Sequence, residues 1–471
     1  MTQPAHDADV IIIGTGQAGV PLAARLAAAG KRVVIMERGR PGGTCVNAGC
    51  TPTKTLIASA HAAHLARTCE RFGVRAQDVT VDFRAVMSRV AAVVARWQAG
   101  IERRLASAGD RVRFVRGHGR FVAPRIVEAN GERYQAAQVV IDVGARPAMP
   151  ALPGIDTVAP LTSTSALVLT TLPPRLIVIG GGYVACELGQ AFRRLGSEVT
   201  IVGRSPQLLP REDPEVSEAL AGALRAEGIR LELGRSVARL AHRQASPKND
   251  VTGEVAIDVE LDDGTSSSGS HVLAATGRTP NTGDLGCEAG GITLDRAGCI
   301  TVGERYETTA SGVFAVGDCT PGPQFTHVAW DDHRVLFDVL MGHPARRRSD
   351  RIVPYTVFTD PQVAGVGLSE RAARARGLEI EVASMPFGRI ARAIETDQTA
   401  GVVRIVIDSR SERLLGATVV GAQAGELIHV FGMLLQAGAP ARTLVDAEMV
   451  HPTFAEGLQT ALMQLPRFAL S

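Results

Sequence analysis

Lysine is nearly missing from this chain: of 50 basic residues only Lys31, Lys54 and Lys248 are lysines. A codon bias toward Ala and Arg accounts for the arginines, and Arg346-Arg347-Arg348 reads as a solvated linker. An excess of one charge is also missing, since 50 basic against 48 acidic residues leave a net charge of +2. So small a balance gives no electrostatic reason for a nucleic-acid or anionic-membrane partner. Small molecules are the expected partners. No stretch reaches the ~18 uninterrupted apolar residues that suggest a membrane span. Met1 to Asp9 offers no basic segment followed by an apolar core, so no secretory signal is expected. The seven cysteines (45, 50, 69, 186, 287, 299, 319) are an odd number and mostly scattered, unlike a secreted disulfide framework. A cytoplasmic, reducing location with no resident metal is expected, and against it the one close pair, Cys45 and Cys50, stands out.

At 471 residues there is room for two to four domains. The run Val10 to Ile13 is continuously apolar, as a strand buried on both faces of a parallel sheet should be. A glycine-rich turn, a helix over 20–29 and a second strand, Arg32 to Met36, complete a βαβ unit. The plan returns at Leu176 to Ile179, with Gly180-Gly181-Gly182, a helix to about Leu195 and a strand from Glu198 to Val202. Gly14 matches Gly180, Gly16 matches Gly182 and Gly19 matches Ala185, a constant offset of 166 residues. Between the copies, 81–105 has helical spacing and 111–143 alternates like β-structure with a turn at Asn130-Gly131. The proline-rich stretch from Pro147 to Pro174 reads as an interdomain connection. Further on, Ala275 to Asn281 marks a crossover and Gly312 to Asp318 closes a strand. From about Arg351 a new mixed α/β region begins, and it ends in a helix after His451.

Gly14-x-Gly16-x-x-Gly19 follows a strand and opens a helix, the context in which bare backbone can approach a pyrophosphate at a helix N-terminus. Eighteen residues past Gly19 stands Glu37, placed to accept hydrogen bonds from ribose hydroxyls. The same step from Ala185 reaches Gly203, so the second unit lacks that acid and has Arg204 beside the gap. An acid there would repel a 2′-phosphate, whereas a guanidinium holds one bidentately. NADPH is therefore expected over NADH, with a plain exposed loop arginine as the other reading.

The segment Gly42 to Lys54 holds Cys45 and Cys50. Two cysteines five apart can close a disulfide, and Thr51 as N-cap with Pro52 at the first helical position would put Cys50 just ahead of a helix. The helix dipole would then favour a thiolate at Cys50. On spacing alone, two free buried cysteines explain the pattern equally well. Likewise His451 alone reads as structural, Glu456 as an ordinary helix carboxylate, and Lys54 and Glu187 as a surface pair.

Taken together, these motifs resemble the class I pyridine nucleotide-disulfide oxidoreductases over essentially the whole chain. The matching segments are Cys45 to Lys54, both glycine fingerprints, Ala275 to Asn281, Gly312 to Asp318, Val353-Pro354-Tyr355-Thr356 and His451 to Glu456. The resemblance implies an α/β fold with two Rossmann-like dinucleotide-binding domains and a C-terminal α+β dimerisation domain. It implies FAD binding by 1–150, NAD(P)H binding by 151–280, a central domain over 281–348 completing the FAD site, and an interface domain over 349–471. FAD and NADPH are the implied cofactors, NADH being the alternative donor. Their contacts would come from Gly14, Gly16, Gly19, Glu37, Gly43, Thr44, Lys54, Gly144, Gly180, Gly182, Arg204, Gly277, Arg278, Gly317 and Asp318. Electrons would pass from nicotinamide through flavin to a Cys45–Cys50 disulfide, with Cys50 facing the flavin and Cys45 attacking substrate. Lys54 would pair with Glu187 near the flavin, Tyr183 would cover the nicotinamide pocket, and His451, oriented by Glu456, would serve as acid and base. That pair would reach the disulfide of the other subunit of a homodimer.

The acceptor is less legible. Mercuric reductases that resemble this chain end in vicinal cysteines, yet here the last cysteine is Cys319 and the tail runs Leu465 to Ser471, and no N-terminal metal-carrier domain is expected. Val202 to Ser205 and Arg211 to Pro214 are nonetheless more like mercuric reductase than lipoamide dehydrogenase. A disulfide or a thiophilic metal ion is the expected acceptor. Dihydrolipoamide dehydrogenase is one alternative, and a thiol-independent quinone reductase or transhydrogenase is another. His61, eleven residues after Cys50 and nearly on the same helix face, is a candidate pocket residue, though a solvent or core role is expected first. His327 and Trp330 are placed to pack near the flavin without an assigned role.

Overall fold

The computed structural model describes residues 6–243 and 256–469. The first residues of the N-terminal stretch and the last two of the tail, both read above, lie outside the described residues. The first unit begins with β1 (His6–Ile13), α1 (Gly19–Ala28) and β2 (Val33–Glu37), with β1 and β2 parallel and Ile13 opposite Met36. Val10, Ile11 and Ile12 are fully buried, the reason their run does not alternate. Next come α2 (Gly43–Ala48), α3 (Cys50–Thr68) and α4 (Phe83–Ser107), the last capped by Asp82, whose carboxylate accepts the Ala85 amide at 2.9 Å. Strands β3 (Val112–Arg116), β4 (Arg120–Ala123), β5 (Ile126–Ala129) and β6 (Glu132–Ile141) give the sheet order β3-β2-β1-β6-β5-β4. Asn130 (φ 54°) and Gly131 (φ 80°) form the two-residue turn between β5 and β6, both left-handed as a tight hairpin demands. The seventh strand, β17 (Val313–Ala315), arrives from far downstream and pairs with β6 in parallel.

Between these two, the chain leaves through β7 (Ala145–Pro147) and builds a second unit. It contains α5 (Ile155–Val158), β8 (Leu161–Thr162), β9 (Arg175–Ile179), α6 (Tyr183–Leu195), β10 (Glu198–Gly203), α7 (Pro214–Ala226) and β11 (Arg230–Leu233). An antiparallel trio follows, β12 (Val237–His242), β13 (Ile257–Leu261) and β14 (Ser266–Gly269), and then β15 (His271–Ala274). The parallel sheet runs β11-β10-β9-β15-β8. The stretch read as an interdomain connection thus supplies an edge strand, because Leu161 and Thr162 pair with Leu273 and Ala274. The chain returns through β16 (Arg278–Pro280), antiparallel to β7. The two loops share one constraint: a Cβ on Gly14 would lie 2.1 Å from the Asp142 carbonyl oxygen, and one on Gly180 2.3 Å from that of Ala275.

After α8 (Thr326–Leu340), the third unit is an antiparallel sheet of β18 (Tyr355–Val357), β19 (Gln362–Gly367), β20 (Ile380–Pro386), β21 (Val402–Asp408) and β22 (Leu414–Gly421). Its order is β18-β19-β22-β21-β20. The short helices α9 (Glu370–Ala375) and α10 (Ala391–Glu395) lie within it in sequence, and α11 (Ala424–Ala437) packs on β19 and β22. Two further helices, α12 (Arg442–Val445) and α13 (Glu456–Leu462), finish the chain. Buried Arg404 pairs with Asp213 and Glu215 of the second unit and with Glu370 of the third. The α/β architecture with two Rossmann-like units and a C-terminal α+β unit is the one expected. Among the described residues no helix is long and apolar enough to cross a membrane. Phe431 on α11 is fully buried in the third core, so Phe431→Ala should cost about 3–5 kcal/mol, read as a lower urea midpoint.

Candidate active site

A cavity of about 1020 Å³ opens where the starts of α1, α2, α3, α6 and α8 converge. Of the residues singled out from sequence, Gly14, Gly16, Glu37, Gly43, Thr44, Cys45, Cys50, Lys54, Gly144, Tyr183, Glu187, Arg278 and Asp318 line it. Gly19, Gly180, Gly182, Arg204, Gly277, Gly317, His451 and Glu456 are not among its described lining.

Cys45 sits on α2 and Cys50 begins α3. The cap expected at Thr51 lies two residues earlier: Gly49 makes the break, its carbonyl accepting the Thr53 amide at 3.0 Å. Only glycine fits there, since a Cβ would stand 2.9 Å from the Thr44 carbonyl oxygen. Cys50 is therefore the first helical residue, and Pro52 lies buried behind it. Cys50 Sγ lies 3.1 Å from Thr326 Oγ1 at the start of α8, and the two thiols shift each other's titration in opposite directions. The hydrogen bond from Cys45 is the main reason that the Cys50 thiol is pulled down to about 6; Thr326 and Lys54 add to it, against burial and Glu187. Cys45 is pushed up, first by that same bond and then by burial. The positive end of α3 favours the same thiolate.

One turn along α3, Lys54 Nζ meets Glu187 Oε2 of α6 at 2.6 Å. Glu187 is only 3% exposed, so this is not a surface pair. Its other oxygen accepts the Phe358 amide at 2.9 Å, and the Phe358 ring lies 4.7 Å from Lys54 Nζ. Tyr183, the first residue of α6, faces Phe325 at 6.2 Å, and Phe325 stacks on His327 and Tyr355.

At the end of β2, Glu37 Oε2 accepts from the Thr15 amide at 3.1 Å and hydroxyl at 2.7 Å, and Oε1 from the Gly39 amide at 2.8 Å. In the second unit, a Cβ on Gly203 would stand 3.7 Å from Gly181 Cα, which is where the missing acid would sit. Arg204 beside it is exposed, and among the described residues no carboxylate pairs with it. Arg278 Nε lies 3.5 Å from Asp318 Oδ2, and burial pushes the Asp318 carboxyl up.

A family model described as "Pyridine nucleotide-disulphide oxidoreductase" matches residues 8–332, and the dimerisation domain of the same family matches 353–462. The chain belongs to the class I pyridine nucleotide-disulfide oxidoreductases. It is similar to a mercuric reductase of Staphylococcus aureus, 33% identical over 97% of this chain and 82% of that one. It is 37% identical to a dihydrolipoyl dehydrogenase of Thermus scotoductus over 98% of each chain. A solved structure titled as the Cu(II) complex of the HOCl-induced flavoprotein disulfide reductase RclA from Escherichia coli superposes with a TM-score of 0.88. It is 32% identical and covers 98% of this chain and 100% of that one.

Members of this family are FAD-dependent oxidoreductases that take electrons from a pyridine nucleotide, and the cavity residues fit an FAD. Gly16 and Gly43 approach so closely that a Cβ on Gly43 would stand 2.9 Å from Gly16 Cα, leaving bare backbone for a diphosphate. Buried Arg278 Nε has no hydrogen-bond partner, a donor left for a ligand. Elsewhere in this oxidoreductase, His451 Nδ1 lies 2.9 Å from Glu456 Oε2, with 70% of the histidine side chain exposed. His61 lies outside the lining; its Nδ1 turns to Asp360 at 3.3 Å and Arg194 at 3.4 Å. The cavity meets only the first turns of α3, and eleven residues carry His61 about 16 Å along the axis. His327 donates from Nε2 to the Pro354 carbonyl at 2.7 Å, and both His327 and Trp330 line the cavity. Sequence reasoning passed over Thr326, Phe325, Phe358 and Asp142. In the two-electron-reduced protein the Cys50 thiolate should persist down to a pH of about 6 and be lost below it. Titrating the long-wavelength absorbance of that thiolate checks this; a midpoint near the ordinary thiol value of about 8.5 would contradict it, and Thr326→Ala should shift the midpoint upward.

Proposed function

We propose that this chain is an NADPH-using flavoprotein reductase that works through a Cys45–Cys50 dithiol on a disulfide or a thiophilic metal ion. The observation that carries this reading is Cys50, held between Cys45, Thr326 and Lys54 at the start of a helix in the dinucleotide cavity. FAD would be held by Gly14, Gly16, Gly19, Glu37, Gly43, Thr44, Gly144, Arg278, Gly317 and Asp318, contributed by 1–150 and 281–348. Residues 151–280 would hold the nicotinamide cofactor through Gly180, Gly182 and Gly277, with Arg204 on a 2′-phosphate and Tyr183 over the nicotinamide. When bound, FAD supplies two-electron transfer between that nucleotide and the cysteines. Cys45 attacks an acceptor disulfide and forms a mixed disulfide; Cys50 then attacks Cys45 and releases the second thiol. Over a cycle, NADPH, one proton and a disulfide give NADP⁺ and two thiols.

His451 protonates the leaving thiolate, and its tie to Glu456 fixes the ring. Its exposure and its absence from the cavity lining of its own chain support a homodimer, assembled through 349–471, in which it serves the other subunit. The mercuric reductase relatives and the Cu(II) complex of RclA favour soft metal ions among the acceptors. A dihydrolipoyl dehydrogenase is the second reading, favoured by that relative's 37% identity, and reduction of NAD⁺ by dihydrolipoamide tests it.

An anaerobic screen of disulfides, Hg(II), Cu(II) and quinones under NADPH should find turnover with a disulfide or a soft metal ion. Cys50→Ala should abolish it, and full activity in that variant on every acceptor would refute the dithiol route. Loss of a hydrogen bond to a charged group costs about 1.5–3 kcal/mol. Arg204→Ala should therefore lower kcat/KM for NADPH roughly ten- to a hundredfold, leaving the NADH value nearly unchanged.

A further inference from the structure

The two dinucleotide-binding units share one backbone plan, and one buried side chain breaks the match. At the end of β6 the Asp142 amide donates to Ile13 at 2.8 Å; at the end of β15 the Ala275 amide donates to Ile179 at 2.8 Å. Each then sets its carbonyl beneath the first glycine of its loop. Asp142 and Ala275 are equivalent positions, one with a carboxyl and the other with a methyl.

The carboxyl is packed into the glycine loop. Oδ2 accepts the Gly19 amide at 2.8 Å and would lie 2.7 Å from a Cβ on Gly16; Oδ1 would lie 3.1 Å from one on Gly317. The residue is 6% exposed and lines the cavity, and among the described residues Oδ1 makes no hydrogen bond. The titratable groups around it are Glu37 at the end of β2, Asp318 and Cys319 after β17, and Asp332 on α8. Of the nearby cations, Arg351 pairs with Asp332, and Arg278 Nε lies 3.5 Å from Asp318 Oδ2. Burial pushes the Asp142 carboxyl up to about 8; the Gly19 amide opposes this and the three carboxylates reinforce it. A diphosphate brought to this loop adds more negative charge.

We infer that Asp142 is a positioning residue of the FAD site that works as a neutral acid, keeping its proton for as long as the dinucleotide is bound. The inference rests on reading the Gly14 to Gly19 loop as the diphosphate seat. Protonated, Asp142 still accepts the Gly19 amide and gains a donor; ionised, it sets an uncompensated charge beside a phosphate. By linkage, FAD loosens as pH rises past the value at which the FAD-free chain loses this proton.

The test is FAD release from the diluted holoenzyme between about pH 6 and about pH 9, followed by flavin fluorescence, with circular dichroism as the check on folding. The Kd should be constant below a pH of about 8 and weaken about tenfold per pH unit above it. Asp142→Asn, which mimics the neutral acid, should remove that slope. Asp142→Ala reproduces the methyl of the second unit and should also be flat, which keeps the test decisive if the Asn variant does not fold. A pH-independent Kd in the parent, or a slope retained in either variant, overturns the inference. Protein that never carries flavin at any pH overturns the diphosphate seat, and the inference with it.

Discussion

The buried ion pair between Lys54 and Glu187 is the contact on which the geometry of the cavity depends. A carboxylate at 3% exposure is tolerable only if its charge is paired and its remaining lone pairs are used. Here the first unit supplies the ammonium, the second the carboxylate, and the third a backbone amide through Phe358. Without the ammonium or the carboxylate a charge would be left uncompensated, at a cost of about 3–5 kcal/mol. The pair contributes registry more than stability. Lys54 lies one turn after Cys50 on α3, on the same face, so the register that satisfies Glu187 also sets the position of the Cys50 sulfur beneath Thr326.

Around this anchor the protein uses one backbone design twice and differentiates it with few side chains. Both loops pass under a carbonyl that forbids a Cβ on their first glycine, and both open a helix toward a ligand space. The differences lie at the strand ends: Glu37 against Gly203 with Arg204, and Asp142 against Ala275. One unit is thereby acidic around its glycine loop, while the other offers an exposed guanidinium.

Much of this was legible from sequence because the relevant signals are local. Parallel strands buried on both faces read as unbroken apolar runs, and loop glycines carry their constraint in their identity. The Asn130-Gly131 hairpin and the Asp82-capped helix are of the same kind. What escaped notice depends on contacts between distant segments. Thr326 reaches Cys50 from 276 residues away, and Phe358 reaches Glu187 from 171, with no pattern in either neighbourhood to announce it. Without the family resemblance, which pairs them, Lys54 and Glu187 read as a surface pair for the same reason. The helix start was misplaced because Thr51-Pro52 is a strong local cap signal, and the close approach of Gly49 to Thr44 overrode it. The solvent role expected first for His61 holds, since it is exposed and outside the cavity lining; its angle around the helix matches Cys50, but distance along the axis decides its surroundings. The β8 strand hid in a proline-rich stretch because its pairing partner, β15, lies more than a hundred residues later.

The antiparallel pairing of β7 with β16 has a consequence for how such a chain is assembled. Ala145 stands opposite Pro280 and Pro147 opposite Arg278, so the chain enters and leaves the second unit at two adjacent points, a strand spacing of about 5 Å apart. The second unit is a cassette on a single stalk. Excising it would leave a gap that a short turn could close, but a replacement nucleotide-binding module would have to bring its own carboxylate to Lys54 and its own acids to Arg404.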